Sequence, residues 1–149
     1  MGARTRVAGC LAGIILGGCS LFHSEDEVAR VTAPSGDVDA IIVETNGGAT
    51  TSFGYRVYVV ERRGRPGFSD EVAAFYGAHR SETAYGVNVR WDANDTIAIE
   101  YLDARTAQLL SPVVRVATRR INVIVRSGTE DNDAPSGGML YNLRQRDSR

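Results

Sequence analysis

Between Val38 and Arg126 the chain is written in short segments whose apolar residues recur at every second position, each segment too short to make a stable helix. Val38 to Glu44 (VDAIIVE) is rich in β-branched residues, and Phe53 to Glu61 (FGYRVYVVE) sets Tyr55, Val57 and Val59 against Arg56, Tyr58 and Val60. Gly86 to Trp91 (GVNVRW) puts Val87, Val89 and Trp91 on one face. A turn over Asp92-Ala93-Asn94-Asp95 then reverses the chain, and Ile97, Ile99 and Tyr101 continue that face. Asn88 and Arg90 point the other way. Val113 to Thr118 and Ile121 to Arg126 supply two more segments, with Ile121, Val123 and Val125 on one side. Ser69 to Arg80 is ambiguous: Ser69, Asp70 and Glu71 suit a helix cap, whereas Val72, Phe75 and Tyr76 suit a strand, the reading we favour. Six or seven short strands joined by turns predict an all-β domain, a small antiparallel sandwich or partly open barrel.

The flanks are of a different kind. Met1 to Arg6 is short and basic, and Val7 to Leu16 (VAGCLAGIIL) is an apolar run broken only by small residues, the layout of a secretory signal peptide. A membrane-spanning helix needs about 20 apolar residues, and this run stops by Gly18, so the segment is too short for a permanent span. Leu16-Gly17-Gly18-Cys19 resembles the lipobox of bacterial lipoproteins. That resemblance implies cleavage before Cys19, a thioether-linked diacylglyceryl group and further acylation such as palmitate on the new terminus, and attachment to a membrane through Cys19. Two or more acyl chains make a firm anchor where one does not. Ser20 after the cysteine resembles the residue of lipoproteins sent to the outer membrane, which implies a periplasm-facing site in a host with two membranes. The predicted organisation is a signal peptide over 1–18, a lipidated terminus and flexible spacer over 19–36, a β domain over 37–126, and a mostly disordered tail over 127–149. Within that tail Met139, Leu140, Tyr141 and Leu143 could dock as a short element.

Composition narrows the functional classes. With Cys10 in the leader and Cys19 lipidated, no thiol remains for a disulfide, a metal or a nucleophile, so stability must come from a packed core. The basic residues are all arginine. The processed chain carries fifteen of them against eighteen acids, a net charge of −3 that offers no basic field for nucleic acid.

One loop stands out between the first two strands: Asn46-Gly47-Gly48-Ala49-Thr50-Thr51, preceded by the Pro34-Ser35-Gly36-Asp37 turn. From Ala33 to Val60 it resembles a family of uncharacterised bacterial proteins, many of them lipoproteins, with an Asn-x-Gly-Ala-Thr-Thr loop between two strands. This chain departs from that pattern in the order of its turn residues and in having glycine at 47, where many members of that family carry cysteine. The resemblance implies no activity. Physically, Asn46, Gly47 and Gly48 tolerate positive φ, and Thr50 and Thr51 offer hydroxyls and amides to a polar ligand, while the alternative is a hairpin loop that satisfies its own backbone. It is no phosphate-binding P-loop, because no lysine follows and no helix opens there.

Catalytic signals are thin. His23 and His79 lack evident partners, a zinc site wants three or four suitably spaced ligands, and no serine has a Gly-x-Ser-x-Gly setting. Glu44 and Glu100 could form an acid and base pair, although solvent-facing positions or pairing with Arg56 or Arg90 suit them better. Trp91 and Tyr101 read as core packing. No cofactor or metal is expected. The favoured reading is a lipid-tethered, non-enzymatic module whose partner is an envelope protein or cell-wall component. The alternative is an enzyme of unknown reaction built on the loop 46–55 and Glu44, favoured only if the loop opens into a pocket beside ionisable groups.

Overall fold

The computed structural model describes residues 24–81 and 84–131. The leader with Cys19, and residues 132–149 with Met139 to Leu143, lie outside them. In chain order the strands are β1 (Ser24–Thr32), β2 (Val38–Asn46), β3 (Gly54–Glu61), β4 (Glu71–Tyr76), β5 (Arg80–Ser81), β6 (Ala84–Tyr85), β7 (Asn88–Ala93), β8 (Thr96–Glu100), β9 (Thr106–Leu109), β10 (Val113–Val116) and β11 (Arg119–Arg126). The domain is all-β: a five-stranded sheet in the order β1-β2-β3-β4-β9 packs on a four-stranded sheet in the order β10-β11-β8-β7, and β5 and β6 make a small separate hairpin. It is a sandwich, not a closed barrel.

Alternation builds the core. On β2 the residues Val38, Ala40 and Ile42 face inward beside Tyr55, Val57 and Val59 of β3, and they meet Val87, just before β7, and Ile97, Ile99, Ile121 and Val123 from the second sheet. The opposite face of the same two strands carries a second buried cluster, Ile41, Val43, Tyr58 and Val60. Strands buried on both faces read as continuous apolar runs, which explains VDAIIVE and YRVYVVE. The β7–β8 hairpin pairs Val89 with Ile99 and Trp91 with Ile97 around the two-residue turn Asn94-Asp95, with an irregularity between Trp91 and Ala93. All six residues assigned to its core face pack there, three of them fully buried. The stretch from Ser69 is a strand over Glu71–Tyr76, after a single 3-10 turn at Phe68–Asp70.

Three features depart from the sequence expectations. The supposed spacer holds β1, which pairs with β2 from Ser24–Asn46 to Thr32–Asp39 and buries Val28. An edge strand keeps charges on its exposed positions, so Glu25, Glu27 and Arg30 gave β1 the composition of a linker. Secondly, β8 and β11 are parallel, Asn122 lying opposite Thr96 and Arg126 opposite Glu100. The chain leaves β8, crosses to the first sheet as β9, and returns through the β10–β11 hairpin, so it re-enters the second sheet from the same end. Thirdly, the supposed tail begins docked: Gly128 N donates to Leu102 O at 2.9 Å and Thr129 N to Tyr101 O at 3.1 Å, and Asn88 Nδ2 donates to Asp131.

Candidate functional site

The Asn46–Thr51 loop is closed on itself. Asn46 Oδ1 accepts from Gly48 N at 2.9 Å, and Gly48 O accepts from both the amide and the hydroxyl of Thr51, at 3.1 and 3.0 Å. Gly48 has a φ of +103°, where an L side chain would be strained, and a Cβ at Gly47 would approach Thr51 Oγ1 to 2.9 Å. The following amide, Ser52 N, donates to the Tyr76 hydroxyl at 3.0 Å. Thr50 is exposed beside them. The glycines therefore serve the loop's own geometry, and the Asn46 and Thr51 side chains bond the loop's own backbone.

Immediately beneath, the strands assemble a buried polar cluster that the sequence revealed only in part. Register places Asp26 of β1, Glu44 of β2, Tyr55 of β3 and Phe75 of β4 in one row across the core face of the first sheet. Glu44 is 7 % exposed and Tyr55 fully buried. Tyr55 lies directly opposite Glu44 in the strand pairing, and its hydroxyl favours the charged form of the Glu44 carboxyl. Arg80, on the short β5, brings Nη2 to 3.7 Å from Glu44 Oε2 and lays its guanidinium 3.9 Å above the centre of the Phe53 ring. Gly86 closes the cluster: its φ is +75°, and a Cβ there would fall 2.5 Å from the Tyr55 ring and hydroxyl. Burial pushes the Glu44 carboxyl above its ordinary value, and Asp26 adds to the shift, while Arg80 and Tyr55 partly restore the charged form.

Glu100 does not join Glu44. It lies on the second sheet and accepts from Arg90 Nη2 at 2.9 Å and Arg126 Nη1 at 3.1 Å, and the Arg90 bond foremost holds its carboxyl low. Both arginines also reach Asp92. Pairing with Arg90 is as anticipated. Arg56, in contrast, turns to Glu25 at 3.8 Å, and Glu44 finds Arg80 instead. Beside this ion network lies a groove of about 300 Å³ lined by Asn88, Arg90, Glu100, Tyr101, Glu130 and Asp131 among others; the Asn46–Thr51 loop is not part of it. His79 Nδ1 stands 3.9 Å from Asp103 at the surface. Trp91 packs half-buried on the core and donates from Nε1 to Val31 O at 2.9 Å, tying β7 to β1.

Glu44 and the stretch from Asn46 to Tyr55 are legible in the sequence as a possible site, whereas Arg80 and Gly86 are not. Their signal is weak, because Arg80 ends the ambiguous Ser69–Arg80 stretch and Gly86 reads as the start of a hairpin segment. The chain matches no family model, no curated protein and no solved structure.

Proposed function

We propose that this chain is a lipoprotein held on the cell envelope by acyl chains on Cys19, and that its β sandwich is a non-enzymatic binding or structural module for an envelope protein or cell-wall component. The observation that carries the second half is the closure of the Asn46–Thr51 loop on its own backbone. Thr51 turns its hydroxyl to the Gly48 carbonyl of the loop itself. Here Glu44 faces the protein's own Arg80 and Tyr55, and the groove on the second sheet is bordered by an ion network already neutralised within itself. The anchor half rests on the Leu16-Gly17-Gly18-Cys19 sequence, and Ser20 favours the outer membrane.

The enzyme alternative keeps one specific observation, a buried carboxyl with a raised pKa, which is a common mark of catalytic acids. Its discriminating measurement is capture of envelope partners by the full lipidated chain and by Glu44→Gln: a module retains the same partner, whereas an acid catalyst holds substrate without turning it over. For the anchor, the native chain is expected in the detergent phase with a mass that includes acyl groups, and Cys19→Ser as an unacylated, uncleaved precursor. Acyl chains on the N-terminus of Cys19→Ser would defeat the proposal, and recovery of the native protein wholly with the inner membrane would defeat the outer-membrane destination.

A further inference from the structure

Among the described residues the two sheets end in four edge strands, and three of them are visibly guarded. β1 carries Glu25, Asp26, Glu27 and Arg30 and is irregular between Glu27 and Ala29. β7 carries Arg90 and Asp92, is irregular between Trp91 and Ala93, and is tied to β1 through Trp91. β10 has Arg115 in a four-residue strand that follows a proline. Charges, bulges and proline are the usual means by which proteins stop an open edge from accepting another strand. β9 has none of them. It is Thr-Ala-Gln-Leu, exposed at every position and regular in its pairing with β4, and it opens a run from Thr106 to Val114 without a charged residue. Leu109 and Leu110 at its end are 41 % and 44 % exposed.

We infer that β9 is an assembly edge, and that its occupant is β9 of a second copy of this chain, paired antiparallel about a two-fold axis. A two-fold perpendicular to the sheet keeps each residue on its own face, so positions that meet across the new ladder share parity. Centred on Gln108, the pairing sets Gln108 against the partner's Gln108, Ala107 against the partner's Leu109, and Thr106 against the partner's Leu110. The bulk of each leucine meets a small residue. The nearest charge, Arg105, falls opposite the partner's Ser111, and the two copies of Arg105 stand about 20 Å apart along the ladder. No like charges meet, which neither β1 nor β10 achieves by pairing with itself in the corresponding way: β1 would oppose its acids to one another when centred on Asp26, and β10 its Arg115. The two five-stranded sheets become one continuous sheet of ten strands.

The test uses the full chain in its own membranes and in detergent. Directly paired antiparallel positions lie about 4.5 to 5.5 Å apart between Cα atoms, within disulfide reach, so Gln108→Cys should give an oxidised dimer in isolated membranes while Ser35→Cys, an exposed position in the β1–β2 turn across the sheet from β9, should not. Sedimentation equilibrium of the detergent-solubilised native chain should show reversible dimers. Gln108→Lys, which opposes two ammonium groups across the axis, should weaken them about tenfold or more with an unchanged circular dichroism spectrum. A native chain that stays monomeric, crosslinking equal at the two positions, or association indifferent to Gln108→Lys would each overturn the inference. So would β9 being occupied by an extended segment of a different protein, seen as a Gln108→Cys crosslink to another chain.

Discussion

Asp39 and Glu44 are the two charged residues buried among those described, and they sit at opposite ends of β2 on opposite faces. Asp39 is fully provided for. Its carboxylate accepts from Arg30 Nη1 at 3.0 Å, Thr32 Oγ1 at 2.8 Å and Arg63 N at 2.7 Å, and it holds the turn in which Arg63 adopts a φ of +61°. Burial opposes the charge there, yet the Arg63 amide, Thr32 and Arg30 together bring its pKa below the ordinary value. Glu44, also shielded from solvent and set deeper in the protein, has Arg80 beyond hydrogen-bond distance, and its pKa moves the other way. Burial raises the pKa of both carboxyls; the donors around Asp39 outweigh it, and those around Glu44 do not.

The contrast is broken or sharpened most strongly at Asp39. Asp39→Ala removes three hydrogen bonds to a buried carboxylate and leaves the Thr32 hydroxyl and the Arg63 amide without their acceptor, while Arg30 keeps its ion pair with Glu27, so the chain should lose about 3 kcal/mol or more of stability in denaturant melts. A loss below about 1 kcal/mol would mean that the two ends of β2 do not differ as described. Next in size is Trp91→Ala, which frees the Val31 carbonyl close to the Asp39 end of β1 and uncovers part of the core. Because Trp91 is only half-buried, about 2 to 3 kcal/mol is expected, less than for a fully enclosed tryptophan. Native emission that is fully red-shifted, with an unaltered melt, would contradict this packing.

The smallest effect, and the one of opposite sign, belongs to Glu44→Gln. A carboxyl whose folded pKa exceeds its unfolded value binds its proton more tightly when folded. Its contribution is thus complete in acid and is lost as pH rises through the raised pKa. The native chain should lose stability relative to Glu44→Gln as pH climbs from the ordinary glutamate value of 4.5. At neutral pH the variant should be equal to it or more stable by up to about 1 kcal/mol. Asp39 gives the reverse profile: its contribution is present above the ordinary aspartate value and disappears as pH falls through its lowered pKa. Chemical melts from mild acid to neutrality, on the native chain and the two single variants, separate the slopes. A large loss for Glu44→Gln at neutral pH would make Glu44 as structural as Asp39.

What the sequence disclosed follows the range of the interactions. The β7–β8 hairpin was legible because alternation and the Asn94-Asp95 turn are local. The parallel β8–β11 pair was not, since it depends on an excursion through a different sheet. β1 and β9 were hidden for opposite reasons, one too charged and the other too short and featureless to resemble a strand. The site divided similarly. Glu44 was visible as an acid on a strand, whereas Arg80 arrives from a two-residue strand whose neighbours fit helix and strand alike. Asp39 also lay in plain view within VDAIIVE, but two of its partners come from the segment that read as spacer.

With Cys19 acylated as proposed, the early start of β1 would set how far the sandwich can stand from a bilayer. Between an acylated Cys19 and Ser24 there are five Cα steps, which span at most about 18 Å when fully drawn out. Ser24 pairs with Asn46, so the rim that such a short leash would hold against the headgroups is the one bearing the Asn46–Thr51 loop. The acids Glu25, Asp26 and Glu27 follow at once, and anionic lipids would repel them. The Pro34–Asp37 turn, at the other end of β1 and β2, would then face away from the membrane.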